Sequence, residues 1–417
     1  MKFNLRQQIT QFAHVLQSRL FPALEEELGE LSQSAKRLVS ALEMIPLARF
    51  VPSGRGWVGR PAKDRLAIAS AFVAKVVYGF TDTRQLLEAL RRDDHLRRIC
   101  GWQSARQVPH ESCFSRAFAE FARMELPQFV HEALIRETQQ DRLIGHIARD
   151  STAIEARERF PETPAQRAER GKGRKARLKE QRKAARAAAR KAAAIAGRRP
   201  KAGAKGGRRG PDQRFLGGKR PRAPKKGTRL ERQRTQKLPE MLADLPKQCD
   251  IGVKKNSQGH EESWRGYKLH LDVADGQIPI SAVLTSASLH DSQVAIPLAT
   301  MTSQRVTYCY ELMDSAYDAH HIREQSRSMG HVPIIDPNQR GGQDLPFQPS
   351  GAPGLSPAQK QRFRERTMVE RVNARIKDEF GGRTIRVRGH AKVMAHLMFG
   401  VLALTADELL RMVGKGV

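Results

Sequence analysis

Paired cysteines are missing from this chain. Its four cysteines, Cys100, Cys113, Cys249 and Cys309, lie far apart with no C-x-x-C pair. Neither a zinc ribbon nor a disulfide framework is therefore expected, and a reducing cytoplasm fits. Aromatic residues make up only 6% and form no stacking motif, which disfavours a single-stranded RNA reader. Acids are scarce, 44 Asp and Glu against 74 Lys and Arg, which leaves a net charge of +30. Long apolar runs are also lacking. The opening "MKFNLRQQITQFAHVLQ" has no apolar core of signal-peptide length, and the stretch near 393–404 is short and broken by His396. Secretion and membrane insertion are not expected.

What the chain has in excess is positive charge. Its 417 residues can bury a large core and form two domains or more, while the charge points to a polyanion, with nucleic acid foremost. Residues 170 to 234 hold 26 Lys or Arg against the acids Glu180, Asp212 and Glu231, so this tract carries 23 of the 30 net charges. Within it, "RKAARAAARKAAAIAGRRPKAGAKGGRRG" lacks the apolar face that a membrane-surface helix needs. It reads as a phosphate-binding tract, helical at first and then broken by Gly and Pro, which orders on meeting its partner.

Residues 1 to about 140 read as helices throughout, with apolar residues at helical spacing in "RPAKDRLAIASAFVAKVVYGF" and "DTRQLLEALRRDDHLRRICGW". In "VPHESCFSRAFAEFAR", Phe114, Ala117, Phe118, Phe121 and Ala122 form an inner face, leaving His110, Glu111, Ser115 and Arg116 outside. This pair of helices around Gly101 could be a helix-turn-helix reader of the major groove. Plain bundle packing is the commoner use of such a pair.

From about 141 the texture changes. "LIGHIARDSTAI" reads as a strand ending near Asp150, and strands resume in "SWRGYKLHLDVA" and "IPISAVLTSAS". A helix over "HDSQVAIPLATMTSQ", a strand ending near Asp314, a helix stopped by Gly330, the strand "HVPIID", a Pro/Gly-rich loop and two helices follow. Hairpin-connected strands first and crossovers afterwards describe a mixed sheet flanked by helices, an α/β fold, with the basic tract as an insertion.

Asp150 and Asp314 each follow a buried strand, where open sheets build sites. Taken singly, such residues are commoner as turn formers or helix caps. A third acid lies in "FRERTMVERVNARIK". On a helix, Phe363, Arg366, Glu370 and Lys377 fall within about 60° of one another. Val369, Val372, Ile376 and Phe380 form a separate apolar stripe. A solvated Arg366–Glu370 pair would explain Glu370 alone. Three carboxylates brought together instead require a cation, and Mg²⁺ prefers such oxygens. Of the other candidates, Asp291 reads as a helix cap beside His290. His320 and His321 read as ordinary helix residues without an acid at metal spacing, and Trp264 as strand-edge core.

The spacing F-x-x-R-x-x-x-E-x-x-x-x-x-x-K, Phe363 to Lys377, resembles the Y-R-E-K signature of DDE transposases from bacterial insertion sequences, with Phe where Tyr is usual. "DSTAIEAR" at Asp150 and "MDSAYD" at Asp314 are similar to that family's first and second acidic motifs. The likeness spans roughly 55–160 and 260–415 and leaves out the basic tract and the first fifty residues.

The resemblance implies an RNase H-like core over 141–160 and 248–417, an all-α N-terminal domain over 1–140, and a basic insertion over 161–247. It implies that Asp150, Asp314 and Glu370 hold two Mg²⁺ or Mn²⁺ ions and that Arg366 and Lys377 contact DNA. The reaction would be cleavage at the element's ends followed by transfer of 3′-hydroxyls into target DNA. A homodimer would act on double-stranded DNA, both terminal inverted repeats and target, at the nucleoid in the cytoplasm. Phe363 lacks the hydroxyl that Tyr would offer the DNA backbone. A catalytically inactive DNA-binding descendant and an RNase H-like nuclease with another substrate are the competing readings.

Overall fold

A computed structural model describes residues 5–51, 63–156, 158, 180–181, 227–255, 260–337 and 354–412. Most of the basic tract, and the Pro/Gly-rich residues 338–353, lie outside the described residues. The chain forms two compact units, residues 1–158 with 228–417, and residues 159–227.

The first unit begins with helices α1 (Leu5–Val15), α2 (Phe21–Leu28), α3 (Gln33–Met44), α4 (Arg65–Val77), α5 (Thr83–Arg92), α6 (Asp94–Ile99), α7 (Glu111–Arg123) and α8 (Leu126–Gln139). Side-chain caps set several of the starts: Asp64, Asp82 and Asp93 each accept backbone N–H groups of the first turn of α4, α5 and α6. On α7 the expected inner face, from Phe114 to Ala122, is buried.

Six strands form one mixed sheet: β1 (Leu143–Glu155), β2 (Asp250–Lys255), β3 (Glu261–Ala274), β4 (Ile278–Ser286), β5 (Thr307–Met313) and β6 (Val332–Ile335). The order is β2-β3-β1-β5-β6, with β4 also on β3. The pairs β1–β3, β2–β3 and β3–β4 are antiparallel, whereas β1–β5 and β5–β6 are parallel. Strand β2 has no counterpart in the sequence reading. Its "DIGVKK" leaves Ile251 and Val253 exposed, so it lacks the buried pattern that marks a strand. Trp264 sits on this edge, half-buried, its indole over Gly252, where any Cβ would meet ring atoms at 2.4 Å.

The short helices α9 (Arg229–Gln233) and α10 (Leu238–Asp244) pack on α11 (Ser292–Ser303), although both fall inside the span expected to be insertion. Next come α12 (His320–Ser328), α13 (Pro357–Phe363), α14 (Thr367–Asp378) and α15 (His390–Arg411). By length and composition α15 could cross a membrane, but 94% of its apolar window is buried inside the protein. It is apolar all round because it packs against helices α3, α4, α7 and α8 on some sides and β4 and α14 on others. The same buried cluster therefore runs from the N-terminal helices into the sheet. Arg375 of α14 locks onto α15 through Asp407 at 2.6 Å and through Glu408.

Candidate active site

Asp150 does not close its strand. β1 runs on to Glu155 because its antiparallel ladder with β3 extends from Ile147 to Glu155. The parallel ladder with β5 stops earlier, at Ala148 opposite Leu312. Asp150 and Asp314 each stand two residues beyond that last pair, so they occupy equivalent positions where the two strands part. Asp314 follows β5 directly, and its Oδ1 accepts the Ala316 N–H at 3.0 Å, capping a short turn.

Helix α14 packs against β1 and β3. Its predicted apolar stripe, Val369, Val372, Ile376 and Phe380, is fully buried. The helix is not continuous from 363, because a single 3-10 turn over Arg364–Arg366 separates α13 from α14, as is common at helix starts. The chain keeps right-handed dihedrals through this turn, and Phe363, Arg366 and Glu370 remain neighbours across it. The Arg366 guanidinium lies 5.8 Å from the Phe363 ring and pairs with Glu370. Phe363 thus supports an arginine by cation–π contact although it carries no hydroxyl.

Asn373, one turn after Glu370, donates from Nδ2 to Asp150 Oδ2 at 3.1 Å. This is the contact that fixes α14 over the strand acid. Asn373 is 6% exposed, and its buried Oδ1 has no hydrogen-bond partner among the described residues.

Electrostatics tie these groups together. Burial pushes the Asp150 carboxyl up to about 6, assisted by Asp314 and Asp291 and opposed by the Ser151 N–H and Arg366. Burial likewise raises Asp314, with Asp291 and Asp336 adding to it and the Ala316 N–H and Arg366 opposing. Arg366 therefore acts on both strand acids while it pairs with Glu370. Glu370 itself is half exposed. Burial first, then Lys254 and Arg383, lower Lys377, while Asp378 and Glu155 oppose them, which sets Lys377 by the far ends of β1 and β2.

Two expectations about nearby residues need correcting. Asp291 does not cap α11: its backbone is already helical and its side chain makes no cap bond, whereas a cap needs extended backbone to reach the first turn. Its Oδ1 accepts from Lys268 Nζ at 2.9 Å, which makes it a fourth acid beside the strand pair. His320 and His321 do have an acid at metal spacing. With Glu324 they are the one trio of His, Cys, Asp or Glu found among the described residues with ligand atoms within 4.8 Å of one another. Arg234 pairs with Glu324 at 2.8 Å, so the cluster is already charge-balanced as an ion-pair network.

Behind the site lies a second set of charges. Arg149 is buried, and its Nε and Nη2 donate to both Asp272 oxygens at 2.7 and 2.8 Å. Glu311 lies 3.4 Å from the same guanidinium and accepts from Tyr308 Oη at 2.6 Å. Thr302 donates to Asp272 at 2.7 Å.

Residues 227–406 match the family model described as Transposase DDE domain, and residues 26–120 match that of Transposase domain (DUF772). The chain belongs to the DDE transposases. No curated protein and no solved structure matches it. The transposase is of the insertion-sequence type, an enzyme of a metal-dependent family whose substrate is DNA. The second match covers α3 to α7 and the first begins where the chain returns at 227, so both fall in the larger compact unit.

Proposed function

We propose that Asp150, Asp314 and Glu370 are the catalytic carboxylates of this transposase and hold two Mg²⁺ or Mn²⁺ ions. The observation that carries the reading is the equivalent placement of Asp150 and Asp314 at the parting of β1 and β5, with α14 fixed above them by Asn373. The donor set suits a hard cation: carboxylate oxygens, plus the orphaned amide oxygen of Asn373. Such ions supply an activated nucleophile and a stabilised leaving oxygen for in-line displacement at phosphorus.

The chain's own residues do the rest. Arg366 offsets the charge of Glu370 and of both aspartates, and turns to a DNA phosphate when the carboxylates gain a metal. Lys377 contacts phosphate two helical turns away. The reaction is hydrolysis at the element's ends followed by attack of the 3′-hydroxyls on target DNA. Lys268 on the neighbouring strand β3 and Asp291, bonded to it from the turn before α11, frame the acids. In this reading the sheet is RNase H-like, 141–160 with 248–417 form the catalytic domain, and the helices of 1–140 are an accessory DNA-binding domain. The tract within 161–247 binds phosphate without regard to sequence. A homodimer holds two terminal inverted repeats, at the nucleoid in the cytoplasm.

The test replaces each acid singly, Asp150→Asn, Asp314→Asn and Glu370→Gln, and measures Mg²⁺-dependent cleavage of a duplex bearing the element's end. Cleavage should fall to background while DNA binding stays. Wild-type cleavage by any one variant would remove that residue from the site.

A further inference from the structure

Lys75, in the last turn of α4, is 9% exposed. A buried cation is costly unless a counter-charge meets it, yet among the described residues Lys75 has neither a hydrogen-bond nor an ion-pair partner. Burial pushes its ammonium down to about 8, against a weaker pull from Asp82. Two acids line the same recess, and among the described residues neither bonds to Lys75. Asp82 Oδ1 accepts the Arg84 and Gln85 N–H groups at 2.9 and 3.0 Å, and Glu111 pairs with Arg84 at 3.4 Å. His396 brings no charge, because burial and Lys75 hold it down at about 4.

Lys75 lines a cavity of about 360 Å³ between α4, the start of α7, residues 386–388 and α15, a volume at the lower end of ligand pockets. Arg386, Arg388 and Lys392 line it as well. A neighbouring cavity of about 220 Å³ shares Lys75, Val76 and His396 with the first, and it reaches Arg383 and Lys377. Cations therefore line the two cavities from Lys377 on α14 to Lys75 on α4, and the acids between them, Asp378 and Glu379, are paired with Arg383 and Arg375.

We propose that Lys75, with Arg386 and Lys392, binds a phosphate of the DNA strand that passes Lys377, which makes α4 part of the DNA-binding surface. The proposal rests on reading Lys377 as a DNA contact. Phosphate chemistry fits because four cations, Lys75, Arg386, Arg388 and Lys392, line a recess that holds two acids, Asp82 and Glu111, and arginine and lysine donors suit phosphate oxygens.

The test is Lys75→Met, which keeps the length of the side chain and removes its charge. Melting temperature is measured without DNA, and duplex binding is measured in EDTA across a salt series. The expected result is a variant at least as stable as wild type that binds duplex about tenfold more weakly, with the slope of log affinity against log salt shallower by about one. Lys392→Gln, at the partly exposed end of the recess, should shift affinity and slope in the same direction without risk to the fold. A marked drop in melting temperature for Lys75→Met would make the lysine structural and overturn the proposal. So would unchanged affinity and slope in both variants. Inorganic phosphate that stabilises wild type but not Lys75→Met, with duplex binding unchanged, would assign the recess to free phosphate and likewise overturn the DNA assignment. Because binding is read without metal or cleavage, a failure of the carboxylate assignment would leave this result standing.

Discussion

Asn373 Nδ2 donates to Asp150 Oδ2 at 3.1 Å, joining residues 223 positions apart in the chain. The bond orients a strand carboxylate from the same helix that carries Glu370, so the two acids cannot shift independently. Residues that orient metal ligands typically carry about 10–100-fold of metal affinity or activity. Asn373→Ala should therefore slow single-turnover cleavage by about that factor and weaken Mn²⁺ binding, with DNA affinity unchanged. Wild-type values for both rate and Mn²⁺ binding would show the bond to be incidental.

Asp150 makes stability depend on pH. Its folded carboxyl titrates at about 6, against 3.8 when unperturbed, so between these values the folded state holds more protons than the unfolded state. Metal-free stability should then fall as pH rises from about 4 to 6 and stay low above that, by up to about 3 kcal/mol. Asp150→Asn removes the penalty. It should stabilise the metal-free protein at pH 7 and have little effect at pH 4, as read from urea midpoints. Mg²⁺ should stabilise wild type more than this variant. A variant less stable than wild type at pH 7 without metal would contradict the argument.

Much of this architecture was legible from hydrophobic period alone. The stripe Val369, Val372, Ile376 and Phe380 is buried as its spacing requires. β3, β4, β5 and β6 lie where apolar runs end in turn residues. The equivalent placement of Asp150 and Asp314 on neighbouring strands was legible only as a resemblance, because strand register decides it and register is a property of pairing. Asp150 looked terminal since a charged residue ends the run "LIGHIA", but its partner is β3, and the ladder continues past it. Asn373 lies at the border between the apolar stripe and the charged face, where a polar side chain has to find a partner. That position was the available signal. Asp291 was hidden by its own chemistry, because Asp before a helix usually caps it, and only its helical backbone shows that it does not. Nothing in the sequence singles out Arg149, whose partners Asp272 and Glu311 come from two other strands.

Arg149 supports the strand that presents Asp150. Asp272 and Glu311 are both buried against it, and the positive charge between them holds Glu311 below the usual carboxylate range despite its burial. Breaking such a pair from one side leaves an uncompensated charge and costs about 3–5 kcal/mol. Arg149→Leu leaves two, so its loss should be larger than that of Asp272→Asn, which keeps the shape and leaves Glu311 to balance the arginine. Urea unfolding midpoints of the two variants give the comparison. Equal midpoints would show that the arginine is not the centre of the network.

The charge of the basic tract should be separable from the chemistry of the site. Residues 170–234 carry most of the net charge, and those up to 227 belong to a different compact unit from the acids and α14. Counterion release makes the salt slope of DNA binding scale with the number of phosphates neutralised, at about 0.9 per contact on duplex DNA. Replacing residues 170–226 by an uncharged Gly/Ser segment of equal length should flatten that slope by several units. Affinity at low salt should drop, and single-turnover cleavage at saturating DNA should stay within about twofold, since none of the three proposed carboxylates is replaced. Binding measured from low to high salt, with cleavage followed in parallel, separates the two effects. If saturating DNA cannot restore cleavage, the tract takes part in building the active complex and its role is more than tethering.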